Sequence, residues 1–522
     1  MATLDARARR GLVLGGVMAA MFLAAMESTV VATAMPTVIA SLGGIRIYSW
    51  TFSAFLLTST VSMPIWGRLA DDLGRRPAYL GGLFVFLLGS ALAGLSQSME
   101  QLIVFRAVQG LGAGSLITIG MTIVGDLYGM ERRARMQGYF SSVWGVASLV
   151  GPLIGGLLTD RVSWRWVFYI NLPFGILAAV AITAGLRDEA HEGRRGAFDV
   201  LGMALFVAAI SAFLVGLVDA GAGESWLHSS GAGLLVLSVL LLVGFVLVER
   251  RASDPVIPLG LFGDPIVRAA ALTGLLAGMA MFGAIAYVPL YLQAVIGASA
   301  TQAGWVLMPF VFGWVAFSIL AARLSLRIGY RRVVLTGMGA LVLAFVLLAG
   351  WNESLTLAVA ARDMTLAGVG MGMIFVPMLI AVQSAVPRSM LGSATSLTSF
   401  FRTIGGAVGV AVMGAAMTHR LERALAAMVT TAPDALREPL QRLAAHPDLV
   451  VNPMTRVTLG SDLLGQMRPA LAHAVGGVFV VGLVIAVLAL LSALLVPAGR
   501  ARDLAIPRDH PAPPRRVTPG GP

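Results

Sequence analysis

The sequence predicts an all-α integral membrane fold, and three observations carry that prediction. Of the 522 residues, 57% are hydrophobic and 12% are charged, about half of the ~25% charged share of soluble chains. The mean hydropathy is +0.85. The apolar residues also come in runs of about 20, the length that crosses ~30 Å of hydrocarbon as a helix. A chain this long would otherwise suit about three or four soluble domains. A membrane barrel is not in contention, because its strands need only about ten alternating residues.

Read in order, the runs give fourteen transmembrane helices, at 12–40, 50–66, 79–96, 101–124, 139–158, 166–186, 200–219, 232–248, 268–291, 303–322, 333–351, 356–382, 398–418 and 473–496. The first follows Arg7, Arg9 and Arg10 and passes Ala32-Thr33-Ala34, so it imitates a secretory signal. It continues past Pro36 to Leu42, however, and is read as a retained span. The expected plan is a cytoplasmic N-terminus (1–11), a six-helix bundle (12–190), a two-helix insertion with linkers (191–265) and a second six-helix bundle (266–496). A long external loop (419–472) lies within the last, and a disordered cytoplasmic tail (497–522) follows. In that loop Leu421, Leu425 and Met428 form a stripe that suggests a short surface helix.

Charge sets the orientation. Lysine and cysteine are both absent, so all 37 basic residues are arginine. Without lysine there is no P-loop ATPase and no Schiff-base chemistry; without cysteine there is no disulfide or thiol site. No residues have metal-ligand spacing and no nucleophile motif is present, so neither a metal nor an enzyme activity is expected. Placing the N-terminus inside puts 26 arginines in cytoplasmic segments, Arg388 and Arg402 among them, and only Arg46, Arg161 and Arg165 in short external loops. Both termini are therefore expected to be cytoplasmic in the cell (inner) membrane. The net charge of +11 then reflects topology and attraction to lipid heads, not nucleic acid. Arg106 and Arg362 do not fit this pattern, because they fall inside apolar runs.

The chain also repeats itself. The segment from Gly67 to Pro77 returns as Ala322 to Arg332, 255 residues later. Gly110, Gly112 and Gly114 correspond to Gly368, Gly370 and Gly372, Pro36 to Pro289, and Gly151 to Gly405. Repeated halves with a site between them are how secondary transporters alternate access.

Four segments in order resemble one family. They are Met26-Glu-Ser-Thr-Val-Val-Ala-Thr-Ala-Met-Pro36, the hairpin Gly67 to Arg76, Arg106-Ala-Val-Gln-Gly-Leu-Gly112, and Gly145 followed by Gly151-Pro-Leu-Ile-Gly-Gly156. Trp164-Arg-Trp and Asn171-Leu-Pro-Phe-Gly are also typical. The chain thus resembles the major facilitator superfamily, in its fourteen-helix drug:H+ antiporter type. The resemblance implies a proton-coupled multidrug exporter of hydrophobic, often cationic small molecules, with a proton gradient as energy source and no cofactor. An exporter of one dedicated product, such as an antibiotic, lipid or peptide, is the alternative. A periplasmic adaptor is left open. Two residues depart from the family pattern: Glu27 stands where Asp is usual, and Asp72 where a basic residue often follows Asp71.

Roles follow for the candidate residues. Glu27 is a carboxylate inside an apolar helix, where its charge is costly, so it can carry a proton or hold a cation. Ser28 and Thr29 are possible partners. Arg106 needs a partner, and Gln109 shares its helical face. By resemblance Arg106 takes part in proton relay. Asp363, beside Arg362, is either half of a local ion pair or a second proton site. Gly67, Asp71, Gly74, Arg75 and Arg76 are expected, by resemblance, to form a cytoplasmic latch, with Leu326 replacing Asp71 in the second copy. Gly145, Gly151, Pro152, Gly155 and Gly156 give a kinked, small-faced helix associated with antiporters. Asp126 and Asp219 are expected to be solvated caps. Trp50, Phe52, Phe55, Trp66, Trp144, Tyr287, Tyr291, Trp305 and Phe310 are candidates to line a greasy cavity or a membrane belt.

Overall fold

A computed structural model describes residues 5–42, 50–128, 136, 139, 143–147, 150–151, 154–155, 157–159, 161–186, 199–220, 230–252, 255, 257–298, 300–387, 390–431 and 461–498. Among these every regular element is helical. The first helices are α1 (Ala6–Leu42), α2 (Trp50–Leu73), α3 (Arg75–Leu95) and α4 (Met99–Leu127). The described residues of 143–161 are all helical and are labelled α5; α6 is Trp166–Gly185. There follow α7 (Val200–Ala220), α8 (Ser230–Glu249), α9 (Pro265–Tyr291), α10 (Ala300–Ile328), α11 (Tyr330–Ala349), α12 (Leu357–Ala385), α13 (Leu391–Thr431) and α14 (Ser461–Ala493).

Eleven of the described helices are long and apolar enough to cross a membrane. Their outward faces confirm the solvent. On α8, Val236, Val239, Leu240, Val243 and Leu247 are all exposed, an apolar face that water would not tolerate. Sequence signals set the helix starts. Ser98 caps α4 by accepting from Gln101 N at 3.3 Å, and Asp264 caps α9 by accepting from Ile266 N at 2.7 Å.

The sequence repeat is a structural repeat. Both α2–α3 and α10–α11 turn at a glycine with positive φ: Gly74 (φ 96°, ψ 158°) and Gly329 (φ 92°, ψ 148°). Only glycine adopts this region cheaply. The three-glycine series then packs the same way twice. On α4, Gly110 and Gly114 abut the α2 backbone at Phe55 and Ser59, while Gly112 abuts α3 at Gly82 and Phe86. On α12, Gly368 and Gly372 abut α10 at Phe310 and Trp314, while Gly370 abuts α11 at Gly337 and Leu341. Residues four apart share a helical face and the one between lies off it. Alternating glycines therefore let one helix approach two neighbours at backbone distance. Likewise α1 packs on α6 as α9 packs on α14. The helices α7 and α8 pair with each other and join the second half through the rings of Phe206, Phe245 and Phe400.

Gly74→Ala is expected to lower stability by about 1–3 kcal/mol, the cost of holding a non-glycine residue in this region. Gly233→Ala is the control, since nothing lies within 4 Å of a Cβ built there. Thermal unfolding in detergent compares the two, and equal midpoints would contradict the strain argument.

Two expectations are corrected at α13. Its N-terminus is at Leu391, not 398, because the small and hydroxyl-bearing residues Gly392 to Thr398 are helical. It also runs to Thr431, so the Leu421–Leu425 stripe continues this helix and is buried in the core instead of forming a separate surface helix. The 432–460 part of the expected loop lies outside the described residues, and the chain is helical again from Ser461. The early start places Arg402 about 16 Å in from the helix end. It is therefore not a cytoplasmic loop residue.

Candidate functional site

Glu27, Arg106 and Gln109 come together inside the first half. Arg106 Nη1 donates to Glu27 Oε1 at 2.6 Å and to Gln109 Oε1 at 2.8 Å, and Arg106 Nε donates to the Thr51 carbonyl at 3.2 Å. The Phe55 ring lies 4.2 Å from the guanidinium carbon. The other carboxylate oxygen, Glu27 Oε2, accepts from Asn171 Nδ2 at 2.8 Å. That amide also donates to Ser90 Oγ at 2.9 Å, Gln109 Nε2 donates to the same oxygen at 3.2 Å, and Ser90 Oγ donates to the Phe168 carbonyl at 2.9 Å. All five side chains are buried. They come from α1, α3, α4 and α6, and α2 adds the Thr51 carbonyl and the Phe55 ring. A single charge pair thus ties five helices together, and its hydrogen bonds offset the cost of burying two charges. Arg106 is fully inaccessible and does not reach for the outer surface. The side chains of Ser28 and Thr29 lie outside the described set.

Sequence reasoning missed Ser90 and the role of Thr51, and it quoted Asn171 only as part of a motif. Neutral polar residues are common in membrane helices, so nothing local marks these three.

The hairpin residues meet at the end of α2. Asp71 Oδ2 accepts from Ser393 N and Ser393 Oγ, both at 2.8 Å, and Asp71 Oδ1 accepts from Gly392 N at 3.1 Å. A carboxylate thus caps the N-terminus of α13, where free N–H groups and the helix dipole favour an anion. Arg75 bridges Asp71 (2.8 Å) and Asp126 (3.0 Å), and Arg76 Nη2 donates to the Thr183 carbonyl at 3.0 Å. Asp126 is therefore an ion-pair partner and not simply a solvated cap. Asp72, the departure from the family pattern, pairs with Arg68 at 2.8 Å. A side chain at Gly67 would collide with Ser396, so α2 and α13 touch closely here. In the second copy Leu326 packs against Ala322, Val376 and Ile380, leaving the arrangement one-sided.

Asp363 is buried. It accepts from Trp351 Nε1 at 2.9 Å and pairs with Arg362 at 2.8 Å, whose own side chain is 64% exposed. Arg362 thus points out of the bundle, and Asp363 stands apart from the Glu27 network. Gly145 faces Val311 and Val315 of α10, and Gly151 and Gly155 are buried. Pro152 and Gly156 lie outside the described residues, as does the side chain of Asp219.

Between the halves lies a cavity of about 70 Å³. The first half contributes Met121 and Trp144; the second contributes Phe282, Trp314, Phe375 and Arg402, with smaller apolar and hydroxyl side chains between them. Of the aromatic candidates only Trp144 lines it, while Trp66, Tyr287 and Tyr291 pack elsewhere in the fold. Drug-sized sites occupy roughly 300–1,000 Å³, so the cavity is smaller than a drug-sized ligand needs. Glu27 is not part of its wall. Met121 and Arg106 are 15 positions apart on α4, roughly 22 Å of helix.

The profile of the Major Facilitator Superfamily matches residues 17–410. The chain is 37% identical over 414 residues to the multidrug transporter protein MdtP of Bacillus subtilis, covering 79% of this chain and 76% of that one. It is 31% identical over 494 residues to multidrug resistance protein 3 of the same organism, covering 94% and 96%. Among solved structures, the proton:xylose symporter XylE superposes with a TM-score of 0.59 at 12% identity, over 94% of this chain and 97% of that one. That likeness concerns the fold alone.

Proposed function

We propose, from the premise that this chain belongs to the major facilitator superfamily, that it is a proton-coupled multidrug exporter of hydrophobic small molecules working by alternating access. The similarity to transporters named for multidrug transport and resistance supports the export reading. The observation that carries proton coupling is the buried Glu27–Arg106 pair, sealed by Asn171, Gln109 and Ser90.

In this reading the latched end is cytoplasmic and the charge pair sits toward the outside. An external proton reaching Glu27 removes one of two mutually compensating charges. Arg106 keeps Gln109 and the Thr51 carbonyl, but its charge is no longer balanced. The five helices that meet at the pair can then repack, which gives protonation a route to the distant cavity. Proton and substrate would thus act at separate places and communicate through α4. We assign coupling to Glu27 in preference to Asp363, because Asp363 has a partly solvated arginine beside it and no part in the interhelical network. Fourteen spans, with α2, α5 and α7 added to the eleven above, and both termini cytoplasmic in the cell membrane complete the proposal. So do two six-helix bundles (12–190 and 266–496) flanking the 191–265 insertion.

Reconstitution in liposomes with an imposed pH gradient tests it. Adding a substrate is expected to release protons, and collapsing the gradient is expected to stop uphill transport. Uphill transport that is indifferent to the gradient would overturn proton coupling.

A further inference from the structure

We infer that the central cavity is built for organic anions, meaning aromatic or alkyl bodies that carry a carboxylate, sulfonate or phenolate, with Arg402 as the counter-cation. The inference rests on the export reading and replaces the expectation of mainly cationic cargo.

Arg402 is the one charged side chain in the cavity wall among the described residues. Its Nε is buried without a hydrogen-bond partner, and its guanidinium carbon lies 5.2 Å from the centre of the Phe375 ring. The arginines whose whole side chains are buried are each answered by a carboxylate, Arg106 by Glu27, Arg75 by Asp71 and Asp126, and Arg68 by Asp72, while Arg76 and Arg331 donate to backbone carbonyls of neighbouring helices. No described carboxylate pairs with Arg402. Arginine does not escape the cost of burial by losing its proton, so a cation here is expensive unless something else neutralises it. A guanidinium offers five N–H donors in a planar fork that fits a carboxylate or sulfonate. Trp144, Trp314, Phe282 and Phe375 supply the apolar surface for the rest of such a molecule. A cationic ligand there would face a like charge at close range.

Purified full-length protein, titrated with 5-carboxyfluorescein and with ethidium, tests this by fluorescence polarisation. Carboxyfluorescein is expected to bind at least about tenfold more tightly than ethidium. Arg402→Gln is expected to erase that preference by weakening the anion about tenfold or more, whereas Arg402→Lys retains part of it. Ethidium binding as tightly as carboxyfluorescein to the unaltered protein would overturn the inference without needing any variant to fold. So would an Arg402→Gln protein that folds and keeps the preference. Anion-selective binding without gradient-driven transport would uphold the cavity chemistry and count against the export reading instead.

Discussion

Glu27→Gln is expected to abolish gradient-driven efflux while leaving a folded protein, whereas Arg106→Ala is expected to cost much of the stability as well. Glutamine keeps the shape of glutamate and still presents an oxygen to Arg106 or Asn171. It leaves Arg106 with Gln109, the Thr51 carbonyl and the Phe55 ring. Arg106→Ala takes more away. It opens a hole among five helices and leaves a buried carboxylate without its counter-cation, held by the Asn171 amide. Breaking a buried pair from one side costs about 3–5 kcal/mol. The double variant Glu27→Gln/Arg106→Gln should be less destabilised than the sum of its parts, since each single change leaves the other charge unanswered. Thermal unfolding and transport in liposomes, measured on the same preparations, separate the two effects. Glu27→Gln protein that still pumps under a pH gradient would remove Glu27 as the coupling site.

Asp71→Asn is expected to loosen the contact between the end of α2 and the start of α13. Asp71 accepts three hydrogen bonds from Gly392 and Ser393 and faces Arg75. An asparagine has one acceptor oxygen and turns two N–H donors toward groups that themselves donate. Hydrogen bonds to a charged group contribute about 1.5–3 kcal/mol each, so losing the set should move the balance by on the order of 3 kcal/mol, roughly 100-fold in population. The chain has no cysteine, so two cysteines introduced at the facing ends of α2 and α13 can be labelled specifically. Distances between spin labels there should lengthen in Asp71→Asn. An unchanged distribution would show that the contact does not hold the two halves together.

Much of this was legible in the sequence, for identifiable reasons. Charges inside apolar runs stand out because membranes make them costly, so Glu27, Arg106 and Asp363 could be named without coordinates. The glycine series was legible because both copies need the same backbone approach to two neighbours. What failed to show was of another kind. Ser90 and Asn171 matter only through partners at distant positions, and neither residue type is unusual in a membrane helix. Arg402 was misplaced because hydropathy located the helix start by its first strongly apolar residues. The true start is set by a capping carboxylate on a different helix, over 300 positions away along the chain.

The charge pair also bears on how the protein is made. Glu27 and Arg106 lie 79 positions apart, and Asn171 follows Glu27 by 144. Helices leave the ribosome in chain order, so α1 reaches the bilayer with its carboxylate unanswered until α4 arrives. An uncompensated acid or arginine near a helix centre costs about 2.5–3.5 kcal/mol on insertion. Each helix is then less stable in the bilayer alone than with the other. The carboxylate gains its last partner only when α6 delivers its amide, and a chain arrested after α3 should present α1 to quality-control proteases as an unfinished span.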